Sequence, residues 1–336
     1  MLLLRLFLKY VLPLGLAALL LWLVYRDTSL EELMRDLRDA DYRWIFLSII
    51  PAVISHLSRA ERWRLLLRPL GHRPRLLTSF LAVMSLYFVN LILPRAGEVS
   101  RCGVLRKTDG VPIDASVGTV VAERGFDLLM LLLTVAVAFV LEFSRLSTVL
   151  GPLVSKRLAT VEGGAVGLLL VGGLSVAGAV VALFLALRRR LRGSALYGKI
   201  EAFLEGVWAG LISVRHLDRP GAFVLHTVLI WGCYYLMAYW ALFALPATAD
   251  LGARAALMVF TLGSLGMVAP VQGGVGAYHF MVGAGLALYG VSEADASAAA
   301  ALMHTSQTLF LLLLGGICFG LTFLVRSKRE LVYDGK

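Results

Sequence analysis

The chain has 336 residues, 59% hydrophobic and 16% charged, with a formal net charge of +10 and a mean hydropathy of +0.81. An average soluble domain carries roughly 25% charged residues, so the composition excludes a soluble domain, a disordered chain, a coiled coil and a secreted disulfide scaffold. The apolar stretches are continuous rather than alternating, which excludes an outer-membrane barrel and leaves a polytopic α-helical membrane protein.

The basic excess fits cytoplasmic loops facing anionic headgroups, and no folded basic domain is present to bind nucleic acid. Cys102, Cys233 and Cys318 lie too far apart to imply a disulfide framework or a zinc site.

Residues 1–26 contain Arg5 and Lys9 and lack a small-x-small cleavage site, which predicts an uncleaved signal anchor with its N-terminus inside. Segment 26–43 has four basic and six acidic residues and suits the outside. Within it, Ser29 and Glu32 form a capping-box pattern, and Leu30, Leu33, Met34 and Leu37 line one face of an interfacial helix. An apolar stretch at 43–58 leads to 59–75, where six arginines face Glu61 alone; this loop belongs inside.

Further apolar stretches follow at 76–93, 113–142 and 164–187. Arg188, Arg189, Arg190 and Arg192 then place 188–219 inside. A second amphipathic helix carries Ile200, Phe203, Leu204, Val207, Trp208 and Leu211. Stretches 222–245, 255–269, 274–290 and 296–325 complete the chain before a basic tail of Arg326, Lys328 and Arg329, also inside.

These loop assignments conflict with simple counting. Between residue 75 and residue 188, both inside, three apolar stretches stand where an even number of crossings is required. The segment 76–93 runs into Asn90-Leu91-Ile92-Leu93-Pro94-Arg95-Ala96-Gly97-Glu98, where proline and glycine break a helix and the charges are costly in lipid. It is therefore expected to re-enter from the cytoplasmic side. In the second half, 255–269 and 274–290 form an out-and-back hairpin pivoting at 269–276, although three full spans satisfy parity too.

The two halves match in order: two spans joined by an amphipathic linker, a Pro/Gly-broken segment, then a long span. Both breaks read Pro-x-x-Gly-x-Val (Pro94/Gly97/Val99 and Pro270/Gly273/Val275), and both last spans open with Asp-Ala-Ser at Asp114 and Asp295. The first half starts inside and the second outside, so the copies are inverted. Inverted repeats with matched broken helices mark transporters, whose substrate sites lie where the breaks meet. The competing reading is a duplicated scaffold without transport.

Candidate site residues gather at these places. Arg95, Glu98 and Arg101 flank the first break; Glu123, Arg124 and Asp127 lie on one long span, with Glu123 and Asp127 on a shared face. The charges either neutralise one another and pin the break, or line a cavity whose guanidinium forks suit phosphate. Arg59 and Arg62 beside Trp63 read as positive-inside anchoring, or as a first contact for a headgroup. Asn90 precedes the first break; Gln272, Tyr278 and His279 surround the second, where Gly273 and Gly274 permit close backbone approach. His304 on the last span is either a hydrogen-bonded core histidine or a proton relay. No Walker A, Gly-x-Ser-x-Gly or His-Glu-x-x-His motif occurs, and no cofactor or metal is expected.

The motifs Arg59-x-x-Arg62-Trp63, Asn90-x-x-x-Pro94-Arg95-x-Gly97-Glu98-x-x-Arg101, Glu123-Arg124-x-x-Asp127 and Pro270-x-x-Gly273-Gly274-x-Gly276 stand in this order. Together they resemble the lysylphosphatidylglycerol synthase transmembrane region, a flippase-like family, over nearly the whole chain. The resemblance implies movement of a lipid or lipid-linked sugar between leaflets; some family members are placed near polyprenyl-phosphate sugar metabolism. Two departures stand out. The soluble aminoacyl-transferase domain of the full synthase is missing, so lysine transfer is not expected, and His279 stands near where many relatives carry an acidic residue.

The expectation is an all-α polytopic membrane bundle forming one transmembrane domain, 1–336. It comprises a first repeat at 1–143 and an inverted second repeat at 164–326, with six full spans, two broken re-entrant elements and both termini on the cytoplasmic side of the inner membrane. The expected function is flipping of an anionic or zwitterionic lipid, with Arg95, Arg101 and Arg124 facing the headgroup. Membrane lipids with phosphate-bearing headgroups are the expected ligands. The alternatives are an enzyme acting on polyprenyl-phosphate lipids and a non-transporting partner of a lipid-synthesis enzyme.

Overall fold

The computed structural model describes residues 12–26, 29–93, 96–148, 217–269 and 271–325. The expected span at 164–187, the second amphipathic helix, Pro94, Arg95, Pro270, and the basic residues of the N-terminus and the tail lie outside the described residues. Within them every regular element is helical, as the composition requires.

The elements are α1 (Leu12–Tyr25), α2 (Leu30–Asp39), α3 (Tyr42–Leu67), α4 (Leu76–Ile92), α5 (Gly97–Asp109), α6 (Ile113–Leu141), α7 (Pro220–Leu242), the single turn α8 (Pro246–Ala249), α9 (Ala253–Val268), α10 (Ala277–Ala287) and α11 (Glu293–Leu324). Three of them, α6, α7 and α11, are long and apolar enough to cross a membrane. Helix α3 has 26 residues but is interrupted by charge. The sequence ends its apolar stretch at 58, whereas the helix runs to Leu67, because carboxylates from another helix neutralise its arginines. Ser29 stands at the N-cap of α2 as expected, yet its side chain makes no cap hydrogen bond. Leu33 and Leu37 of α2 pack onto the core.

Helices α4 and α5 form one hairpin and α9 and α10 another. Glycine permits the close approach within each. A Cβ at Gly97 would collide with the Leu86 carbonyl oxygen, and one at Gly266 would stand 2.8 Å from the Ala277 carbonyl oxygen.

Contacts sort the loops into two ends of the molecule. At one end the Tyr25 hydroxyl donates to the Ser297 carbonyl (3.3 Å), the Asp41 amide to the Ala244 carbonyl (2.8 Å), and Arg145 to the Leu288 carbonyl (3.1 Å). At the other end Leu65 and Leu66 pack against Leu217 and Phe223, the Arg75 amide donates to Asp109 (3.1 Å), and Lys107 donates to the Thr322 carbonyl (3.3 Å). Helices α3 and α7 are thus antiparallel, and so are α6 and α11. The α4–α5 hairpin is rooted at one end and the α9–α10 hairpin at the other. Helix α4 packs on α11, and α9 packs on α6.

Candidate functional site

The hairpin tips meet. The Gln272 Nε2 donates to the Leu91 carbonyl at 2.8 Å, joining the second break to the first. Three other side chains complete the backbone bonding here. Asn90 Oδ1 accepts from the Gly97 amide at 2.8 Å, His304 Nε2 lies 2.8 Å from the Gly273 carbonyl, and His279 Nδ1 accepts from the Gly276 amide at 3.3 Å. A hydrogen bond to a carbonyl requires that His304 carry its proton on Nε2. Broken helix ends free backbone groups that hydrocarbon cannot solvate, at several kcal/mol each. Four of the polar residues singled out as candidate ligands therefore close the chain's own broken ends.

Gly273, Gly274 and Gly276 have positive φ values of 60°, 73° and 81°. At Gly276 a Cβ would also stand 2.7 Å from the Ala17 carbonyl oxygen, so α1 can seat directly on the break only if glycine is there. Tyr278 is buried, its ring 5.2 Å from that of His304, which lies 4.8 Å from the His279 ring.

Beside the junction lies a cavity of about 310 Å³ lined by Leu91, Gln272, Gly273, His304, Thr308 and Leu312, among others. Of the site residues named from the sequence, Gln272, Gly273 and His304 line it. Asn90, Glu98, Tyr278 and His279 do not; Asn90 and His279 are turned into the backbone bonds of the breaks.

The charged residues form a separate ion-pair network. Glu123, fully buried, is its hub. It lies 2.7 Å from Arg59, 2.9 Å from Arg101, 3.1 Å from Arg124 and 3.5 Å from Arg62. Asp127, one turn on along α6, binds Arg62 at 2.6 Å and Arg59 at 2.8 Å, and lies 3.5 Å from Arg124. Glu98 approaches Arg101 at 2.9 Å and Arg124 at 3.7 Å. The Arg101 guanidinium also lies 4.6 Å over the Trp63 ring, whose Nε1 donates to Thr119 at 2.9 Å.

This geometry replaces the anchoring reading of Arg59 and Arg62. Both are buried, at 4% and 0% exposure, and bind carboxylates more than sixty residues away in the chain. They are not placed to meet a headgroup first. Arg101 is buried as well; Arg124, with 42% of its side chain exposed, is the open guanidinium of the network. Four arginines against three carboxylates leave one positive charge in excess among the described residues. Buried charges demand this pairing, since an isolated one is strongly disfavoured.

Two participants were missed in the sequence. Tyr234 accepts from Arg59 at 3.1 Å, and Thr227 lies 3.4 Å from Arg62 as its acceptor. They lie seven residues apart on α7, hence on one face of an otherwise apolar span, which is the signal that could have found them. Thr308, one turn beyond His304 on α11, is the other omission.

These features define a helical membrane protein with two broken hairpins joined tip to tip beside a buried arginine–carboxylate network. The chain belongs to the family described as the lysylphosphatidylglycerol synthase transmembrane region, whose pattern matches residues 10–315. It is 28% identical to Glycosyltransferase AglD of Haloferax volcanii, with 89% of this chain and 52% of that protein covered. It is 26% identical to a UPF0104 membrane protein of Methanocaldococcus jannaschii, with 30% of each chain covered. The chain thus spans about half the length of the first relative and less of the second. No solved structure matches it.

Proposed function

We propose that this protein carries a lipid, or a lipid-linked sugar, with an anionic or zwitterionic headgroup between the leaflets of its membrane. The observation that carries this reading is the junction of the two hairpins, where Gln272 bonds to Leu91 beside a cavity of about 310 Å³. Broken helices that meet beside a cavity are the usual construction of a transporter site. We read the α4–α5 and α9–α10 hairpins as re-entrant elements, and the two halves as inverted copies. The antiparallel pairs α3/α7 and α6/α11, and hairpins rooted at opposite ends, support that reading. The sequence charge bias orients the Lys107 end toward the cytoplasm of the inner membrane.

In this mechanism the headgroup leaves one leaflet and enters the tip junction while its tails stay in the bilayer. Thr308 offers a hydroxyl in the cavity, and Arg124, outside the cavity lining in the charged network, offers a planar fork for a phosphate. The single positive excess of the network matches a phosphodiester, which carries one negative charge. Arg59, Arg62 and Arg101 hold the network together instead of touching the lipid.

The test is reconstitution of the purified chain alone in vesicles with fluorescent phosphatidylglycerol or phosphatidylethanolamine, read by quenching of the outer leaflet. Accelerated exchange is expected; its absence for these and for a polyprenyl-phosphate sugar would refute the carrier. A second reading, chemistry on a polyprenyl-phosphate lipid, is favoured by the name of the Haloferax relative. It requires a covalently altered lipid product in the same vesicles.

A further inference from the structure

Among the described residues, an exposed cation at each end of the molecule ties the two halves together, and the two ties correspond. Just beyond α6, Arg145 donates to the Leu288 carbonyl at 3.1 Å, and its guanidinium lies 4.1 Å over the Tyr289 ring. At the other end, in the last turn of α5, Lys107 donates to the Thr322 carbonyl at 3.3 Å, with its ammonium 5.1 Å from the Phe323 ring. Each contact therefore combines a cation, a carbonyl at a helix C-terminus and the aromatic ring of the next residue. Leu288 caps α10 and Thr322 lies in the last turn of α11. Free carbonyls and the negative end of the helix dipole favour a cation at such a place.

The pairing of elements is reciprocal. Arg145 joins the end of the first half's long span, α6, to the root of the second half's hairpin. Lys107 joins the root of the first half's hairpin to the end of the second half's long span, α11. The 29 residues of α6 separate the two contacts by about 43 Å at about 1.5 Å per residue, roughly the thickness of a bilayer. The hairpin tips and their cavity lie between them.

We infer that Arg145 with Tyr289 and Lys107 with Phe323 are the two gates of the carrier, one for each membrane face, and that they open alternately. This rests on the carrier reading. A headgroup can reach the tip cavity from one face only if the hairpin root on that face separates from the long span beside it. Both cations are partly solvent-exposed, so the contacts are weak enough to break and reform. Glu142 lies 3.2 Å from Arg145 and holds the guanidinium near its ring when the gate opens.

The experiment uses the full chain with Cys102, Cys233 and Cys318 replaced and Thr308→Cys as the reporter in the cavity. A membrane-impermeant maleimide is added to oriented vesicles from either side. Arg145→Ala is expected to raise labelling from the Arg145 face relative to the Lys107 face by about three- to tenfold, the scale of one exposed cation–π contact with its hydrogen bond. Lys107→Ala is expected to shift the ratio equally in the opposite sense, and Arg145→Lys and Lys107→Arg should stay near the parent. Tyr289→Leu and Phe323→Leu should reproduce the two shifts, which keeps the test available if an alanine variant does not fold. Unchanged ratios, or shifts of one sign from both ends, would overturn the gates. Vesicle flipping is read in parallel with the same gate substitutions made in the chain that keeps Thr308. Mirrored shifts without flipping refute the carrier and leave the paired contacts, whereas flipping without mirrored shifts refutes the gates alone.

Discussion

Replacing Glu123 by Gln removes one charge from the hub and changes little else, since the two side chains have the same shape. In the native protein Oε1 accepts from Arg59 and Arg124, and Oε2 accepts from Arg101. With Gln, one of these acceptors becomes an NH2 group aimed at a guanidinium. Arg101 is left with Glu98 alone, and Arg59 and Arg62 must share Asp127. Breaking a buried ion pair costs about 3–5 kcal/mol because the remaining charge stays buried. That corresponds to a loss of about two to nearly four orders of magnitude in the folding equilibrium. Unfolding in mixed micelles with increasing SDS, followed by far-UV circular dichroism, measures it. Asp127→Asn should cost less, because Asp127 is 15% exposed and does not contact Arg101. Glu123→Gln with Arg101→Gln should recover part of the loss, since it removes the stranded charge. A Glu123→Gln protein within about 1 kcal/mol of wild type, below the range for a buried pair, would refute the network as a structural element.

Arg124→Lys should leave the unfolding curve within about 1 kcal/mol of wild type, as for other partly exposed pairs. It should slow lipid exchange roughly tenfold through loss of the two-pronged contact, read in the vesicle assay. Gln272→Leu should lower stability by about 1–2 kcal/mol through loss of its bond to the Leu91 carbonyl, and Gln272→Glu by more, because a carboxylate then faces that carbonyl. Gly97→Ala should destabilise by about 2 kcal/mol or more, since its Cβ meets the Leu86 carbonyl oxygen in the tightest part of the first hairpin. Thermal unfolding in detergent checks both.

The long spans were legible because 29 and 32 largely apolar residues have few other uses, and the sequence bounds for α6 and α11 agree with the helices to within three residues. The breaks were legible too, since proline close to glycine interrupts a helix, although proline alone need not: Pro51 lies inside α3. Helix α5 was not. Its sequence, GEVSRCGVLRKTD, is short and polar, and only packing against α4 and pairing of Arg101 and Glu98 make it a stable element. Arg59 and Arg62 misled for a related reason. Beside Trp63 they have the local look of a membrane edge, and the carboxylates that neutralise them lie on α6. Local sequence carries no sign of a partner that far along the chain.

The polar residues at the breaks teach a different lesson. Asn90, Gln272, His279 and His304 are the kinds of side chain a headgroup site needs, yet each is committed to a backbone group that the break sets free. The two demands coincide because a helix cannot be broken inside a membrane without donors and acceptors to finish it. One of these bonds lies in the first half of the chain and two in the second, and one, from Gln272 to Leu91, crosses between the halves. The crossing bond couples the tips: one hairpin cannot move past the other without breaking it. On the carrier reading proposed above, a headgroup entering the cavity would replace it, offering an acceptor to Gln272 and a donor to the Leu91 carbonyl. Substrate entry and release of the tips would then be the same exchange of hydrogen bonds, at little net cost in unsatisfied groups. An empty site has no such replacement, so its tips stay joined.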